Sequence, residues 1–418
     1  MSTSLMVFWG STAALIYLFL GYPFLMWIAA WLHPRPIRRR GIRPEVSVLL
    51  VAQDEAPLIG RRIENLLSLD YPREHLEILI GSDGSVDATA AIARRYRRAG
   101  VRLVAFRSRR GKAAVLNDLA GMARGDILLL ADARQRFDAG VLRALVAPFE
   151  DETVGAVGGE LILTDDPDAN TVSDGVGFYW RYEKLIRRSE SKVDSTVGAT
   201  GAIYAIRRGL FKAIPADTIL DDVLIPVRIS RLGYRVLFEP EARAWDRIPP
   251  TPGQEFTRKV RTIAGNFQLF ARERWLLNPL RNRLWFQTVS HKLLRLGSPF
   301  LGASLIASNL SLAPGSSFFT ATLLFQALFL AAALLGRARS RAPGRTGGRL
   351  SFCAVPYFFC LLNWATVVGL VRYVTGRQSV TWARAFAGVE ASPSDSQAMA
   401  ARNARVAGQA SPARRRSA

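Results

Sequence analysis

The residues best suited to chemistry are two neighbouring aspartates, Asp221 and Asp222. A carboxylate can remove the proton from an attacking hydroxyl group. A basic stretch from Arg258 to Arg261 follows further along the chain, and arginine side chains bind phosphate groups. This pattern predicts a carboxylate base beside a phosphate-binding stretch. Two alternatives remain open: the aspartates cap the helix that follows them, whose N-terminus favours acids, or Arg261 lies on the solvated face of an interfacial helix.

Polar side chains follow the strands of an α/β unit that we predict over residues 44–275. The apolar run Val46–Val51 is typical of a buried parallel strand. Further strands are predicted at 76–80, 101–106 and 127–130, alternating with helices at 58–69, 87–98 and 112–123. This alternation predicts a doubly wound sheet, in which ligands gather at the carboxyl ends of the strands. The polar residues at those ends are Gln53, Asp54, Glu55, Asp83 and Asp132.

Long uncharged stretches flank this unit. Residues 1–34, 296–336 and 350–371 contain no Asp, Glu, Lys or Arg, and a membrane-spanning helix needs about 20 apolar residues. We predict one spanning helix in residues 1–34 and three hydrophobic membrane segments in residues 297–374. An amphipathic interfacial helix is expected over 276–296, and a basic, disordered tail over 377–418. The alternative is that some of these stretches are buried core helices, or that the first is a signal peptide, although it lacks a basic start and a cleavage site.

The net charge of +22 is concentrated beside the uncharged stretches and in the tail. Arginines between 35 and 43 and between 337 and 349 predict that both loops face the cytoplasm. The α/β unit would then be cytoplasmic, at the inner membrane of the cell. Four full crossings would place the basic tail outside, so one segment is re-entrant or the tail breaks the rule. Basic residues at these places suit anionic membrane lipids, and no nucleic-acid-binding signature accompanies them. Cys353 and Cys360 are expected to be packing residues.

Three segments together resemble the opening of the family 2 inverting glycosyltransferases. They are residues 48–55 (VLLVAQDE), residues 81–87 (GSDGSVD) and residues 111–113 (GKA). The resemblance covers residues 44–275 and implies the GT-A fold, a nucleotide-sugar-binding α/β domain. Members include the membrane synthases of cellulose, hyaluronan and poly-N-acetylglucosamine, whose membrane segments are similarly arranged.

The resemblance also implies a nucleotide-sugar pocket. Ala52, Glu55 and Asp83 would line it, with Asp83 bonding the base or ribose, and Lys112 would lie near the diphosphate. Asn117 is a weaker candidate for the same pocket. In the alternative interpretation, Asp83 stabilises its own turn and Lys112 is a solvated residue at a helix start.

Asp132 falls where the family usually has Asp-x-Asp, a pair that binds a divalent metal ion. Here Arg134 replaces the second aspartate. We expect Asp132 to hold Mg²⁺ or Mn²⁺ together with diphosphate oxygens and water, with Arg134 adding a fixed positive charge near the leaving group. The alternative is a local ion pair between Arg134 and Asp138.

Asp222 matches the family's catalytic base, and Asp221 would support it or contact the acceptor. Arg261 matches the arginine of the Gln-x-x-Arg-Trp motif of processive members and is expected on the diphosphate. Arg258 replaces the glutamine of that motif, and Thr262 replaces the tryptophan that stacks at the acceptor end.

Residues 197–202 and 204–208 resemble the family's acceptor-side segment, where small residues permit close approach. Aromatic side chains at Tyr179, Trp180 and Tyr182 could stack on a sugar or pack in a core. The three histidines form no recognisable site, and none is assigned a role.

These features predict a membrane-embedded inverting glycosyltransferase that uses a nucleotide sugar, expected to be a UDP-sugar. The acceptor would be a polysaccharide or a lipid-linked glycan. A second interpretation is transfer of a single sugar to a polyprenyl phosphate or glycolipid, which Thr262 favours. A third is a catalytically silent binding or export subunit, which Arg134 favours. A structural membrane transporter ranks below these.

Overall fold

A computed structural model describes residues 2–39, 41–164, 177–247, 252–340 and 352–379 of this chain. The fold is an eight-stranded mixed sheet with helices on both faces, flanked by long apolar helices. The strands are β1 Val46–Ala52, β2 Leu76–Asp83, β3 Val101–Phe106, β4 Ile127–Ala131, β5 Arg136–Phe137, β6 Val154–Thr164, β7 Ile203–Arg207 and β8 Arg235–Arg247.

Eleven helices lie in the described residues; each of α1 and α9 combines several consecutive helical segments. They are α1 Thr3–Leu32, α2 Ala56–Leu67, α3 Thr89–Arg95, α4 Lys112–Met122, α5 Val141–Val146, α6 Gly177–Val193, α7 Asp221–Arg231, α8 Pro252–Arg272, α9 Trp285–Gly315, α10 Ser317–Ser340 and α11 Ala354–Val374.

The sheet has the strand order β3-β2-β1-β4-β7-β6-β8-β5. Strands β3, β2, β1 and β4 are parallel, with Val46 opposite Leu76 on one side and Ile127 on the other. The other half is mixed: β7 runs antiparallel to β4 and β6, whereas β6 and β8 are parallel. The prediction of a doubly wound parallel arrangement is therefore confirmed for the first half, and the second half adds antiparallel neighbours.

Apolar side chains cover both faces of the parallel half. Val48 and Leu50 pack with α2 on one face, and Leu49 packs with α4 on the other. This double burial explains the continuous apolar runs, because a parallel strand covered on both sides has no solvent-facing position. It also places the carboxyl ends of β1, β2 and β4 at one edge.

In the part of the chain that the structure describes, four helices are long and apolar enough to cross a membrane: 3–32, 285–315, 317–339 and 354–374. The helix 285–315 differs from the expected interfacial helix over 276–296. Arg274–Leu277 forms a 3₁₀ turn, and the helix starts only at Trp285. Pro279 cannot continue a helix, and the Asn278 and Asn282 side chains accept bonds from the N–H groups of Leu280 and Leu284.

Several predicted features lie outside the described residues. They are residues 380–418 of the basic tail, the arginines at positions 40, 341, 345 and 349, and the side chains of Tyr179 and Trp180.

Candidate active site

Asp83 holds the loop that leads into α4. This residue ends β2 and is 2% exposed. Its Oδ1 accepts a hydrogen bond from the backbone N–H of Arg110 at 2.6 Å, and its Oδ2 accepts one from Gly111 at 2.8 Å. Gly84 permits the approach of this loop, since a Cβ there would lie 2.5 Å from the Arg109 nitrogen. Asp83 therefore sets where Lys112 begins its helix, rather than stabilising only its own turn.

Glu55 lies where β1 passes into α2, three residues after the buried Ala52. Its backbone N–H donates to Oγ1 of Thr89 at 2.8 Å, which ties this corner to the turn after β2. Burial raises the pKa of Glu55 to about 7, and Asp132 adds to the rise while Arg134 opposes it. Glu55, Asp132 and Arg134 are therefore close enough to influence one another's charge.

Lys112 links two acidic residues that are distant in sequence. Its Nζ lies 3.0 Å from Oδ1 of Asp132 and 3.2 Å from Oδ2 of Asp221. The Tyr204 hydroxyl group donates to the same Asp221 oxygen at 3.1 Å. Burial on its own would lower the pKa of Lys112, but Asp132 and Asp221 outweigh it and raise this pKa. Lys112 is thus a fixed, partly buried ammonium ion and not a solvated residue at a helix start.

Asp222 is held by a neighbouring segment of small residues. Its Oδ2 accepts a hydrogen bond from the Gly201 N–H at 2.8 Å, and its carbonyl accepts one from Ala199 at 2.8 Å. Burial, followed by the charge of Asp221, raises the pKa of Asp222 to about 6, while Lys112 acts in the opposite direction. A carboxylate with a pKa near neutrality is well suited to accept a proton. Both aspartates stand in the first turn of α7, directly after the cap residue Leu220.

Helix α8 brings Arg261 to these acids. Burial lowers the pKa of Arg261, and Asp221, Asp132 and Asp222 all oppose this effect. The helix sits directly on the residues before the aspartates, because a Cβ at Gly265 would lie 2.5 Å from Cγ of Leu220. Arg258, in contrast, forms an ion pair with Glu255 at 2.9 Å within its own helix.

The site thus gathers side chains from α4, α7, α8 and the loop after β4. The family model described as "Glycosyltransferase like family 2" matches residues 44–265, which is more than half of the chain.

The chain belongs to the family 2-like glycosyltransferases.

Curated relatives agree with this membership. A poly-beta-1,6-N-acetyl-D-glucosamine synthase of Staphylococcus epidermidis is 25% identical over 240 residues, covering 55% of this chain and 56% of the relative. The probable glycosyltransferase YdaM of Bacillus subtilis is 26% identical over 243 residues, covering 53% of this chain and 55% of the relative. The match therefore spans about half the length of these relatives.

One solved structure shares the fold over most of the chain. It is the mannosyltransferase PcManGT from Pyrobaculum calidifontis in complex with GDP-Man and Mn²⁺, with a TM-score of 0.66 and 23% sequence identity. The superposition covers 88% of this chain and 98% of that one. This likeness confirms the expected GT-A fold for the family 2 domain.

The residues around Asp132 do not fit a divalent metal ion. Asp132 already contacts the Lys112 ammonium group, and Arg134 stands where a second carboxylate would be needed. Arg134 approaches Oδ2 of Asp246 at 3.8 Å. Within the described ranges, no three His, Cys, Asp or Glu side chains come together as metal ligands. The expected Mg²⁺ or Mn²⁺ site at Asp132 therefore lacks its donor set.

A carboxylate from a distant strand lies beside Arg134. Oδ1 of Asp138 accepts a hydrogen bond from Nε1 of Trp245 at 2.7 Å. Asp246, at the end of β8, is the acid beside Arg134, and its Oδ2 also accepts from Nε2 of Gln135 at 2.9 Å. Strand β8 comes long after β4 in the chain, so the local sequence around Arg134 carried no sign of Asp246.

Two weaker candidates have structural contacts instead. Asn117 exchanges hydrogen bonds of 2.8 and 3.0 Å with the backbone of Ile214 and thereby fastens α4 to the segment before α7. Tyr182 donates from its hydroxyl group to the Phe19 carbonyl at 3.0 Å, so it joins α6 to α1. Neither position needs a ligand to explain its contacts.

Sequence reasoning missed a buried polar cluster between the family 2 domain and the apolar helices. His291 places Nδ1 2.7 Å from Glu190 and Nε2 2.8 Å from Glu183. Burial would raise the pKa of Glu183, but His291 and Arg295 hold it well below its usual range. The Tyr22 hydroxyl group of α1 also donates to Glu190. Glu183 and Glu190 are two helical turns apart on α6, and this spacing is the sequence feature that could have indicated that both carboxylates lie on one face of the helix.

Proposed function

We propose that this chain is an inverting glycosyltransferase that moves a sugar from a nucleotide sugar, expected to be a UDP-sugar, to an acceptor at the membrane. The observation that carries the proposal is the position of Asp222. Its carboxylate is oriented by the Gly201 N–H, has a pKa of about 6, and lies beside Lys112 and Arg261. A proton acceptor next to two phosphate-binding cations is what direct displacement at a sugar carbon requires.

The nucleotide would lie along the strand ends that carry Ala52, Glu55 and Asp83. Both carboxylate oxygens of Asp83 accept hydrogen bonds from the loop before Lys112. Asp83 would therefore also support nucleotide binding by fixing the shape of that loop. The diphosphate would then face Lys112, Arg134 and Arg261. Guanidinium and ammonium groups bind phosphate oxygens strongly in such partly buried sites.

In the reaction, Asp222 would remove the proton from the acceptor hydroxyl group as its oxygen attacks the anomeric carbon. The bond between that carbon and the diphosphate breaks on the opposite side, which inverts the configuration. Asp221 is held between Lys112 and Tyr204, so its part is to position the ammonium group and raise the pKa of Asp222.

The acceptor would be a polysaccharide or a lipid-linked glycan at the cytoplasmic face of the inner membrane. Four apolar helices support a membrane location, and arginines after α1 and after α10 support a cytoplasmic family 2 domain. The staphylococcal relative is named as a polysaccharide synthase, which supports a polymer product.

Transfer of a single sugar to a polyprenyl phosphate or glycolipid is a second candidate, favoured by Thr262. This residue is an exposed threonine on α8, and its hydroxyl group donates to the Arg258 carbonyl at 3.1 Å. A threonine offers no flat face on which a growing chain could stack. The length of the product separates the two candidates.

The test is turnover of a panel of UDP- and GDP-sugars by the full chain in membranes, with lipid and glycan acceptors. Two variants form the matched pair: Asp222→Asn, which we expect to be inactive, and its control Asp70→Asn, which we expect to be active. Asp70 is exposed and forms an ion pair with Arg143. Product length is read by mass spectrometry. Turnover of no donor would overturn the proposal in favour of a silent binding subunit, and equal turnover by Asp222→Asn would overturn the assignment of Asp222 as the base.

A further inference from the structure

The segment from Asp132 to Arg134 offers one carboxylate and one guanidinium group. Asp132 is the one carboxylate kept, and its Oδ1 lies 3.0 Å from Nζ of Lys112. The second position is Arg134, whose side chain is 12% exposed. A divalent ion at Asp132 would have to displace the Lys112 ammonium group, and Arg134 supplies none of the oxygen ligands that hard cations require.

The ammonium group of Lys112 is held in place by two ion pairs. Two carboxylates from different parts of the fold hold it, Asp132 after β4 and Asp221 at the start of α7, at 3.0 and 3.2 Å. Tyr204 in turn bonds Asp221 from the middle of the sheet. Displacing the lysine to admit a metal ion would leave Asp221 and Tyr204 to rearrange in a buried environment, which is unfavourable.

Two further cations complete the arrangement. Arg134 is oriented by Asp246, which is 3% exposed and is itself held by Gln135. Arg261, on α8, is near enough to Asp221, Asp132 and Asp222 for their charges to oppose the lowering of its pKa by burial. Three cationic side chains therefore lie among these carboxylates, where the diphosphate is expected.

We propose that this chain transfers its sugar without a divalent cation, with Lys112, Arg134 and Arg261 supplying the positive charge that the leaving diphosphate needs. The inference rests on the proposed function. A preorganised positive charge stabilises a developing anion without reorganisation at the moment of reaction. A metal ion at this position would stabilise the same charge on the leaving diphosphate.

The reaction balances without a metal ion. The bond between the anomeric carbon and the diphosphate oxygen breaks, and its electron pair remains on the diphosphate. The bond from the acceptor oxygen to that carbon forms, and the acceptor proton moves to Asp222. The charge that accumulates on the diphosphate is met by the ammonium and guanidinium groups.

The first measurement is turnover of the donor found in the panel by the full chain, with excess EDTA and then with added Mn²⁺ or Mg²⁺. We expect rates that agree within about twofold, since no ligand set for the ion is present. A rate that collapses in EDTA and returns with Mn²⁺ would overturn the inference while leaving the proposed function intact.

A matched pair of variants at Arg134 sharpens this test. Arg134→Asp restores the two carboxylates and is expected to create a metal requirement, with at least about tenfold stimulation by Mn²⁺ over EDTA. Arg134→Gln removes the charge without adding a ligand and should be slower in both media, with no stimulation. Stimulation of the wild type equal to that of Arg134→Asp would contradict the proposal.

Binding provides a readout that does not depend on turnover. Calorimetry should give the same Kd for UDP in EDTA and in Mn²⁺ for the wild type, corrected for the binding of Mn²⁺ to UDP in solution. Lys112→Met should weaken binding about tenfold or more in EDTA. UDP binding that requires Mn²⁺ would overturn the inference, whereas failure of every donor in both media, with metal-independent UDP binding, would overturn sugar transfer itself and leave only a metal-independent nucleotide site.

Discussion

The backbone N–H of Gly201 donates a hydrogen bond of 2.8 Å to Oδ2 of Asp222. The contact leaves little room, since a Cβ at position 201 would lie 3.3 Å from the same oxygen. The Asp222 carbonyl also accepts from Ala199, so main chain and side chain are anchored to the same segment. The orientation of the carboxylate is therefore set by the backbone of the small-residue segment.

The pH dependence of transfer follows from Asp222. The carboxylate must be ionised to accept a proton, and its pKa is raised to about 6, so kcat/KM should fall as pH drops through about 6. Asp222→Asn should lose roughly 10²–10⁴-fold in kcat, because an amide cannot take the proton. Initial rates measured across the pH range test both points. A wild-type profile flat down to pH 5 would contradict this assignment.

The affinity for UDP should depend on Glu55. Its pKa is about 7, so the side chain is neutral below that pH and negative above it. A negative charge near the bound diphosphate weakens binding, and we expect the Kd to rise by about 3–10-fold between pH 6 and pH 8. Glu55→Gln should lose this dependence and retain only the part due to titration of UDP. An unchanged dependence in Glu55→Gln would exclude Glu55 as its source.

Gly265→Ala should harm the protein although alanine favours helices. The new Cβ would lie 2.5 Å from Cγ of Leu220 and 2.9 Å from Ile219, so α8 must move away from the residues before the acidic pair. Such overpacking costs about 1–3 kcal/mol, and it displaces Arg261, one turn earlier on the same helix. The free energy of unfolding and the Kd for UDP are the measurements.

Gly121→Ala is the matched control for this substitution. It also lies in a helix, α4, but a Cβ there meets nothing within 4 Å. The control should therefore gain up to about 1 kcal/mol. Equal changes in the free energy of unfolding for the two substitutions would show that the contact of α8 with Leu220 does not contribute to stability.

His291→Leu should destabilise the junction between the family 2 domain and the apolar helices. The change leaves Glu183 and Glu190 without the imidazole that contacts both, and removing the hydrogen-bond partner of a buried polar group costs about 1–3 kcal/mol. Thermal unfolding in detergent measures the effect. His33→Leu is the control, because His33 is exposed and its replacement should change the unfolding temperature little. Similar shifts for both variants would refute a role for the cluster.

The sequence by itself determined the parallel half of the sheet and the edge where its polar residues meet. The runs Val46–Val51, apolar except for Ser47, and Ile127–Leu130 reflect the burial of both faces of these strands. Polar residues follow at or just after the strand ends, where Glu55, Asp83 and Asp132 are found. Local patterns are sufficient here, since burial and strand direction depend on residues that are close in sequence.

Only the tertiary structure decided which of these groups touch. Lys112, which the resemblance places near the diphosphate, lies between Asp132 and Asp221, and Arg134 lies beside Asp246. The His291 cluster joins α1, α6 and α9, whose sequences give no hint of one another. Such pairings depend on how distant elements pack, and the free energy of a buried charge depends on the partner that packing brings to it.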